Sequence, residues 1–269
     1  MKLGISYNMF DGEELLEGSI RYIRNQVDYI SAVYQTNSWF GPKASPALME
    51  TLNRLVEKKY IDELYEYRSE VDKDDNEGVA HLQQLEKRNI GLELSRKNGC
   101  THHMPIDADE FYIPEQFKAM KDFMDTEKAD TCALQHRQYY KDSIYMITPS
   151  EQEYIIGIFK IYDDTEFVYK IPCPVPVDPS RKPNNKRFAV FGRDMVEMHH
   201  MSYVRKNIYG KLISSIQKDA IRHNIEKITD YYNNWQYPAP AMWAGGNLLQ
   251  VIKIDRKFDV YSELEEELK

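Results

Sequence analysis

Apolar positions along the first 140 residues follow two alternating patterns. Short apolar runs at 2–8 and 29–35, with a weaker one at 60–69, have the length of buried strands. The intervening segments place apolar residues three or four positions apart, which is the spacing of an amphipathic helix. The first of these helices carries four such residues on one face: Leu16, Ile20, Ile23 and Val27. The chain therefore begins with strands and helices in turn.

The same alternation continues to residue 140. The stretch at 79–97 predicts a long helix, and the Asn-Gly pair that follows it is a common C-terminal signal. The segments at 100–112 and 130–140 predict a fourth and a fifth strand, and Pro114 marks the first turn of a helix between them. Repeated βαβ units predict an α/β fold with a mostly parallel sheet flanked by helices, where ligands bind beyond the carboxyl ends of the strands.

After about residue 145 the pattern changes. Two alternating segments, at 153–162 and 166–172, predict a small antiparallel portion. Residues 172–187 hold five prolines and four basic residues, which predicts an extended surface loop. A helical region follows, and the segment at 247–255 is a candidate late strand.

Composition excludes several classes of function. The 269 residues carry a net charge of -8, so binding of nucleic acid through a general basic field is not expected. No window approaches the roughly 18 apolar residues of a membrane span. The N-terminal segment has no apolar signal-peptide core, so a cytoplasmic location is expected. The three cysteines lack metal-site spacing.

Acidic residues are concentrated in the stretch HHMPIDADEFYIP, at the predicted carboxyl end of the fourth strand. Asp107 and Asp109 are two residues apart, so both side chains can lie on one side of an extended segment, with Glu110 beside them. Paired carboxylates are hard oxygen ligands that suit Mg²⁺ or Mn²⁺. A solvated turn or a helix-capping acid is the alternative. His102 and His103 alternate along the same strand, and packing roles are expected for them.

Three further stretches, read together with this acid pair, carry a resemblance. GISYNMFDGEELLEGSIRYI opens the chain, EKRNIGLELSRKNG precedes the acidic strand, and EMHHMSYVRKNIYGKL follows roughly 90 residues later. In this order they resemble a GT-A fold glycosyltransferase, family-2-like. The resemblance covers residues 1–215 and implies a GT-A-like nucleotide-sugar-binding and catalytic domain there. Residues 216–269 would form a helical C-terminal extension packed on it.

The resemblance implies roles for individual residues in binding the donor. Tyr7 and Asn8 would lie near the nucleobase and ribose. Arg88 and Asn89 would face the nucleotide side of the cleft. Asp107 would bind the ribose or the metal. Arg205 and Lys211 would hold the departing diphosphate.

The resemblance also implies a metal site. Asp109 would be the direct ligand of Mn²⁺ or Mg²⁺, with Asp107 assisting it. His200 would be the further protein ligand, with His199 as the second choice. The two histidines alternate along an extended segment, so at most one of them can easily reach the metal.

The sequence departs from the family pattern in two places. Gln35 and Thr36 stand where many members carry an acid that reads the base, which leaves uracil recognition open. No clear catalytic base is present, and the catalytic residue is unassigned. Four acids between the DxD sequence and His200 are candidates by position alone: Glu151, Glu153, Asp194 and Glu197.

The function that the resemblance implies is metal-dependent transfer of a sugar from a nucleotide-diphospho-sugar to a hydroxyl acceptor, with inversion favoured. A UDP-sugar is the first expectation for the donor, and a glycan or lipid-linked acceptor in cell-surface glycan synthesis is expected. The alternatives are a phosphohydrolase or nucleotidyltransferase that uses the acid pair on a metal, or a non-catalytic nucleotide-sugar-binding module.

Two stretches leave further alternatives open. The basic residues at 181–187 could support peripheral contact with the inner face of a membrane. The aromatic segment at 231–246 could form a packed lid or dimer contact, or its rings could stack on sugars at the cleft.

Overall fold

The computed structural model describes residues 1–39, 41–68, 77–126, 128–149, 154–215 and 221–261. These ranges contain six α-helices and twelve β-strands. The helices are α1 (Glu13–Ile23), α2 (Pro46–Glu57), α3 (Glu77–Lys97), α4 (Pro114–Asp125), α5 (Ile208–Ile213) and α6 (Ile225–Asn234). The strands are β1 (Leu3–Met9), β2 (Tyr29–Tyr34), β3 (Glu63–Glu66), β4 (His102–Asp107), β5 (Glu110–Phe111), β6 (Thr131–Tyr140), β7 (Asp142–Thr148), β8 (Tyr154–Lys160), β9 (Phe188–Phe191), β10 (Met198–Tyr203), β11 (Ala241–Met242) and β12 (Leu248–Lys253).

The N-terminal half forms a parallel block in the order β3-β2-β1-β4. Nearly every residue of β1, β2 and β4 is buried, as expected for parallel strands whose two faces are both covered by helices. The main apolar core lies between this block and α1, α2 and α4. The predicted βαβ units and the α/β class are confirmed.

A second block continues the same sheet with antiparallel and mixed pairing. β8 pairs antiparallel with both β4 and β6, and the order then runs through β7 to β12 and β11. The predicted late strand is confirmed as β12. β10 lies beside β6 in parallel and beside β5 in antiparallel orientation. This pairing brings the late chain segment to the end of β4.

Helix α3 packs unusually close to the sheet. A β-carbon at Gly91 would lie 2.0 Å from Oγ and 2.4 Å from Cβ of Ser6 on β1, so only glycine permits this approach. The helix ends at Lys97, and Gly99 two residues later has a positive φ of 70°. Lys87 and Arg88, one turn before Gly91, are thereby held beside the carboxyl ends of β1 and β4.

Three expectations about the second half of the chain are wrong in part. Residues 166–172 form no strand; Phe167 makes one isolated bridge with Pro183. The loop at 172–187 is irregular but not all on the surface, since Ser180 and Arg181 are buried. Residues 221–261 are not helical throughout, because β11 and β12 add a hairpin to the sheet. Residues 216–220, next to the expected domain boundary, lie outside the described part.

Within the described ranges, no helix is long and apolar enough to cross a membrane.

Candidate active site

A cavity of about 560 Å³ opens at the carboxyl ends of β1 and β4. This is the edge of a parallel sheet where ligands usually bind, and the volume is in the range of small-molecule sites. Its lining residues come from the N-terminal block, from β6 and β10, and from the C-terminal extension. They are Asn8, Phe10, Asp11, Trp39, His81, Gln84, Lys87, Asp107, Ala108, Asp109, His136, Gln138, Asp178, His200, Ser202, Tyr203, Arg205, Lys211, Leu212, Ser214, Ser215, Ile221, Trp243, Ala244 and Asn247.

Strand pairing positions the acidic turn and His200 together. Asn8 and Asp107 are register partners at the ends of β1 and β4. The chain turns at Ala108-Asp109, and Glu110 begins β5. The antiparallel register partner of Glu110 is His200 on β10. The neighbouring His199 faces the other way, is completely buried, and shares a 2.7 Å hydrogen bond between its Nδ1 and the hydroxyl of Tyr139. The predicted divergence of the two histidines is confirmed.

Asp109 is the most heavily contacted acid in the cavity. Its Oδ2 accepts a 2.6 Å bond from Nη2 of Arg205 and lies 3.4 Å from Nζ of Lys211. Its Oδ1 lies 3.6 Å from Nε2 of His200. Burial alone would raise the pKa of Asp109, but its contacts with Lys211, His200 and Arg205 outweigh burial and hold the pKa well below its usual range. Asp109 is therefore an ionised carboxylate at neutral pH.

Asp107 and Glu110 are held by two buried guanidinium groups. Arg181 forms a bidentate pair with Glu110, with N–O distances of 2.5 and 2.8 Å, and its Nη2 also donates to the carbonyl of Pro105. Oδ2 of Asp107 lies 3.5 Å from Nη1 of Arg181 and 3.7 Å from Nη2 of Arg88. Burial alone would lower the pKa of Arg181, but Glu110 and Asp107 raise it above its ordinary value. Arg181 thus stays charged and holds the acidic turn from the buried side of the protein.

Arg88 connects the acidic turn to a fourth carboxylate, Asp178. Nη1 of Arg88 donates to Oγ of Ser180 and lies 3.5 Å from Oδ2 of Asp178. Oδ1 of Asp178 accepts bonds of 2.7 Å from both the backbone N–H and the hydroxyl of Ser180. Burial would raise the pKa of Asp178, but Arg88 and these bonds lower it below its usual value. A fixed, ionised carboxylate therefore faces the cavity from the loop.

Asp109 and His200 have the donor atoms and the separation that a divalent cation requires. A gap of 3.6 Å between Oδ1 and Nε2 can be spanned by one ion bound at about 2.1 Å to each atom. No group of three or more metal-ligating His, Cys, Asp or Glu side chains occurs in the described part of the chain. Two protein ligands nevertheless fit Mg²⁺ or Mn²⁺, which commonly take the remaining oxygens from water and phosphate. Asp107, already paired with two arginines, is the less available acid.

The structure brings six of the residues predicted for the site to the cavity wall: Asn8, Asp107, Asp109, His200, Arg205 and Lys211. It places three others elsewhere. Tyr7 is completely buried beneath the acidic turn, where its hydroxyl pairs with Ser19 Oγ at 3.0 Å. Arg88 lies behind Asp107 and Asp178, and Asn89 makes two hydrogen bonds with the backbone of Phe167. These three support the wall and do not line it.

Two of the four acids proposed by position as catalytic bases can be located, and neither lines the cavity. Asp194 and Glu197 are not among its lining residues, and Glu197 is paired with Arg137 at 2.6 Å. Glu151 and Glu153 lie outside the described residues. Asp178 does line the cavity, and it is not among the site residues proposed from the sequence. The available signal was an Asp-Pro-Ser-Arg sequence inside a proline-rich loop, because Asp and Ser side chains form local turns with the backbone, as Asp178 and Ser180 do here.

The N-terminal side of the cavity combines aromatic and cationic side chains. Lys87 is buried, donates to the carbonyl of Met9 at 3.1 Å, and lies 5.8 Å from the ring centre of Trp39. Burial lowers the pKa of Lys87 to about 7, although Asp107 opposes that shift. Oδ1 of Asn8 and Nε1 of Trp39 are buried there without hydrogen-bond partners. This end of the cavity therefore combines the aromatic residues Phe10 and Trp39 with one donor and one acceptor that lack hydrogen-bond partners.

Comparison with known proteins gives similarity to solved structures alone, since no family model and no curated protein matches the chain. S. aureus TarS 1-349 is similar with a TM-score of 0.46 and 12% identity, over 82% of this chain and 65% of that one. The complex of TarS 1-349 with UDP has a TM-score of 0.46 and 10% identity, over 88% of this chain and 76% of that one. The complex of TarS 1-349 with UDP-GlcNAc has a TM-score of 0.46 and 12% identity, over 87% of this chain and 72% of that one. Similarity at this level does not assign the chain to a family.

Replacing Arg181 by methionine should destabilise the fold strongly. The substitution leaves Glu110, which is 2% exposed, as a buried carboxylate without its ion partner. Breaking a buried pair in this way costs about 3–5 kcal/mol. Urea unfolding measures the free energy directly.

The matched control for Arg181→Met is Lys118→Met. Lys118 pairs with Asp122 at the surface, where both side chains are more than half exposed. Its substitution should lower the free energy of unfolding by less than about 0.5 kcal/mol. An Arg181→Met protein within 1 kcal/mol of the wild type, on the scale of ordinary surface substitutions, would contradict the role assigned to this pair.

Proposed function

We propose that this chain is a glycosyltransferase that moves a sugar from a nucleotide-diphospho-sugar to a hydroxyl acceptor. The observation that supports this most directly is the set of groups around Asp109. An ionised carboxylate, an imidazole and two cations converge in a cavity at the carboxyl end of a parallel strand. That combination suits a ligand that carries a diphosphate together with a metal ion.

Asp109 and His200 would hold Mn²⁺ or Mg²⁺ in this site. The ion would neutralise negative charge on the diphosphate when bound. Arg205 and Lys211, which contact Oδ2 of Asp109, lie on the side from which they can also donate to phosphate oxygens. Lys87 supplies a further positive charge at the N-terminal side of the cavity. These side chains stabilise the leaving diphosphate as its bond to the sugar breaks.

Asp178 is our candidate for the catalytic base. Its carboxylate is ionised, lines the cavity and is held rigidly by Ser180 and Arg88. An acceptor hydroxyl that attacks the anomeric carbon must lose its proton, and a positioned carboxylate can take it. The new bond forms at the sugar carbon while the bond to the diphosphate oxygen breaks. A single displacement of this kind inverts the anomeric configuration.

For the donor, a UDP-sugar is the first choice. The ring faces of Phe10 and Trp39 and the unmet polar atoms of Asn8 and Trp39 suit a nucleobase at the N-terminal side. A glycan or lipid-linked acceptor in cell-surface glycan synthesis remains our expectation. Cytoplasmic location and peripheral membrane contact also remain predictions, and Arg181 cannot contribute to such contact because it is buried.

The alternative functions predict different reactions of the same cavity. A phosphohydrolase would release phosphate from simple phosphoesters, and a nucleotidyltransferase would release pyrophosphate from a nucleoside triphosphate. A non-catalytic module would bind the nucleotide-sugar and leave it intact. Incubation with UDP-glucose, UDP-galactose, UDP-GlcNAc and GDP-mannose separates these cases, since slow cleavage to free sugar and nucleoside diphosphate is expected of a glycosyltransferase alone.

Calorimetric titration with UDP, with and without Mn²⁺, tests the donor site. We expect Mn²⁺ to strengthen UDP binding, and both Asp109→Asn and His200→Ala to weaken the metal-dependent binding by at least about tenfold. Asn at position 109 keeps a hydrogen-bond acceptor for the buried Arg205, and circular dichroism checks that the variant is folded. Asp109→Asn and His200→Ala proteins that bind UDP and Mn²⁺ as the wild type does would refute the metal site.

His223→Ala is the control for this titration. His223 is an exposed histidine outside the cavity lining, so its loss should leave UDP binding unchanged in both conditions. A comparable loss in His223→Ala would show that the histidine effect is not specific to the cavity.

Substituting Asp178 by asparagine should separate catalysis from binding. Loss of a general base lowers the rate by about 10²–10⁴-fold. UDP affinity should not fall, because the substitution removes a negative charge and UDP is itself an anion. The rate of donor cleavage and the affinity for UDP are measured on the same preparation. Cleavage at the wild-type rate would remove Asp178 from the mechanism.

UDP binding should weaken as the pH rises through 7, because Lys87 has a pKa of about 7 and attracts the diphosphate only when protonated. The fall should approach tenfold per pH unit at most between pH 7 and 8.5. Lys87→Met should bind UDP more weakly at pH 7 and show a flatter pH profile. Identical profiles for the variant and the wild type would contradict this assignment.

A further inference from the structure

The C-terminal extension contributes an aromatic wall to the cavity, formed by Trp243. The indole ring stacks on Tyr203 of β10, with ring centres 3.9 Å apart and planes inclined by 24°. Tyr203 in turn stacks on Tyr140 of β6, at 5.8 Å and 20°. Tyr203 and Tyr140 are buried, whereas Trp243 is half-buried and lines the cavity. The part of the indole that Tyr203 leaves uncovered therefore borders the same space as Asp109 and Asp178.

The backbone fixes Trp243 in this position. Its N–H donates to the carbonyl of Asn247 at 2.8 Å, and the N–H of Gly246 donates to the carbonyl of Trp243 at 2.9 Å. Gly245 and Gly246 have φ near +80°, which closes this tight turn at little conformational cost. The base of the stack is held by Tyr232, whose hydroxyl lies 3.0 Å from the carbonyl of Tyr203 and 2.9 Å from that of Arg205 and accepts a bond from the backbone N–H of Arg205. Trp243 is thus a rigid ring, already in place before a ligand enters.

Packing alone does not account for Trp243, as comparison with Trp235 shows. Trp235, on the same extension, is 8% exposed, and its Nε1 donates to the carbonyls of Ala239 and Pro240. It packs edge-on against Tyr140 and Tyr145 inside the C-terminal core. Trp235 therefore fulfils the structural role expected of a buried tryptophan. Trp243 keeps part of its ring open to the cavity.

Small polar groups line the cavity together with Trp243. They are Ser202, Ser214, Ser215 and Asn247. Gln138 lines it as well, and its Oε1 is buried without a hydrogen-bond partner. A flat aromatic face beside hydroxyl and amide groups matches a pyranose ring, which has an apolar CH face and a rim of hydroxyls. A flexible lipid alcohol would not need this set of polar partners.

We propose that Trp243 and the polar groups around it form a saccharide-binding subsite, and that the acceptor of the transferred sugar is itself a pyranose held there. This inference rests on the proposed glycosyltransferase function and adds the chemical class of the acceptor. The donor nucleotide would lie toward Trp39 and the acceptor toward Trp243, in the cavity that Asp109 and Asp178 also line.

Saturation-transfer NMR with four simple saccharides tests the subsite. The probes are the methyl glycosides of β-glucose, β-galactose, N-acetyl-β-glucosamine and α-mannose, each added to the full chain with saturating UDP and Mn²⁺. We expect at least one probe to bind, with transfer strongest to the protons of its CH face. Trp243→Ala should weaken that binding about tenfold or more, and Trp243→Phe, which keeps a ring, should retain most of it.

Tyr209→Ala is the matched control, because Tyr209 is an aromatic residue of α5 that is 49% exposed and does not line the cavity. It should bind the probes as the wild type does. UDP affinity, measured by calorimetry on each variant, should be unchanged by Trp243→Ala and shows that the fold and the donor end persist.

The outcomes separate this inference from the function on which it rests. Normal UDP binding without binding of any of the four saccharides, or with equal saccharide binding by Trp243→Ala, overturns the acceptor subsite alone. A Trp243→Ala protein that loses affinity for UDP-GlcNAc but not for UDP assigns the ring to the donor sugar and also overturns it. Saccharide binding by a wild type that fails to bind UDP contradicts the glycosyltransferase function, and with it the acceptor role.

Discussion

The site depends on the neutralisation of three carboxylates crowded at the end of a buried strand. Asp107, Asp109 and Glu110 lie within four residues, and both Asp109 and Glu110 are almost fully buried. An isolated buried carboxylate is costly, so the acidic turn can exist only where cations meet it. Arg181 and Arg88 meet it from the core side, and Arg205 and Lys211 from the cavity side. The acidic turn is therefore stable only together with the side chains that form the cavity wall.

The sequence could predict those parts of the fold and the site that depend on local interactions. Periodicity predicted the strands and α3, and the DxD spacing placed an acid pair at the carboxyl end of β4. His200, Arg205 and Lys211 reached the cavity as the resemblance implied. Local pattern could not predict Arg181, because its partner Glu110 is 71 positions earlier and its own loop looked like surface. The pairing of β10 with β5, which brings His200 to the turn, is equally non-local.

Tyr7, Arg88 and Asn89 illustrate another limit of sequence reasoning. All three are neighbours of the site in sequence, yet none lines the cavity, because each side chain is held by a structural partner. One residue of displacement along a strand or helix decides between the two sides: Asn8 lines the cavity where Tyr7 does not, and Lys87 does where Arg88 does not. Spacing predicts which elements meet, but side-chain direction depends on strand register and helix rotation that only packing fixes.

The charge balance of the site gives an independent reason to expect a divalent ion with the proposed substrate. Among described residues, five carboxylates line the cavity or lie directly behind it: Asp11, Asp107, Asp109, Glu110 and Asp178. The basic groups that line it or pair with these acids are also five, of which Lys87 is only partly protonated at pH 7: Lys87, Arg88, Arg181, Arg205 and Lys211. A diphosphate would therefore enter a site with no net positive charge to spare. A cation that accompanies it would restore the balance, and the open face between Asp109 and His200 is where the donor atoms for that cation lie.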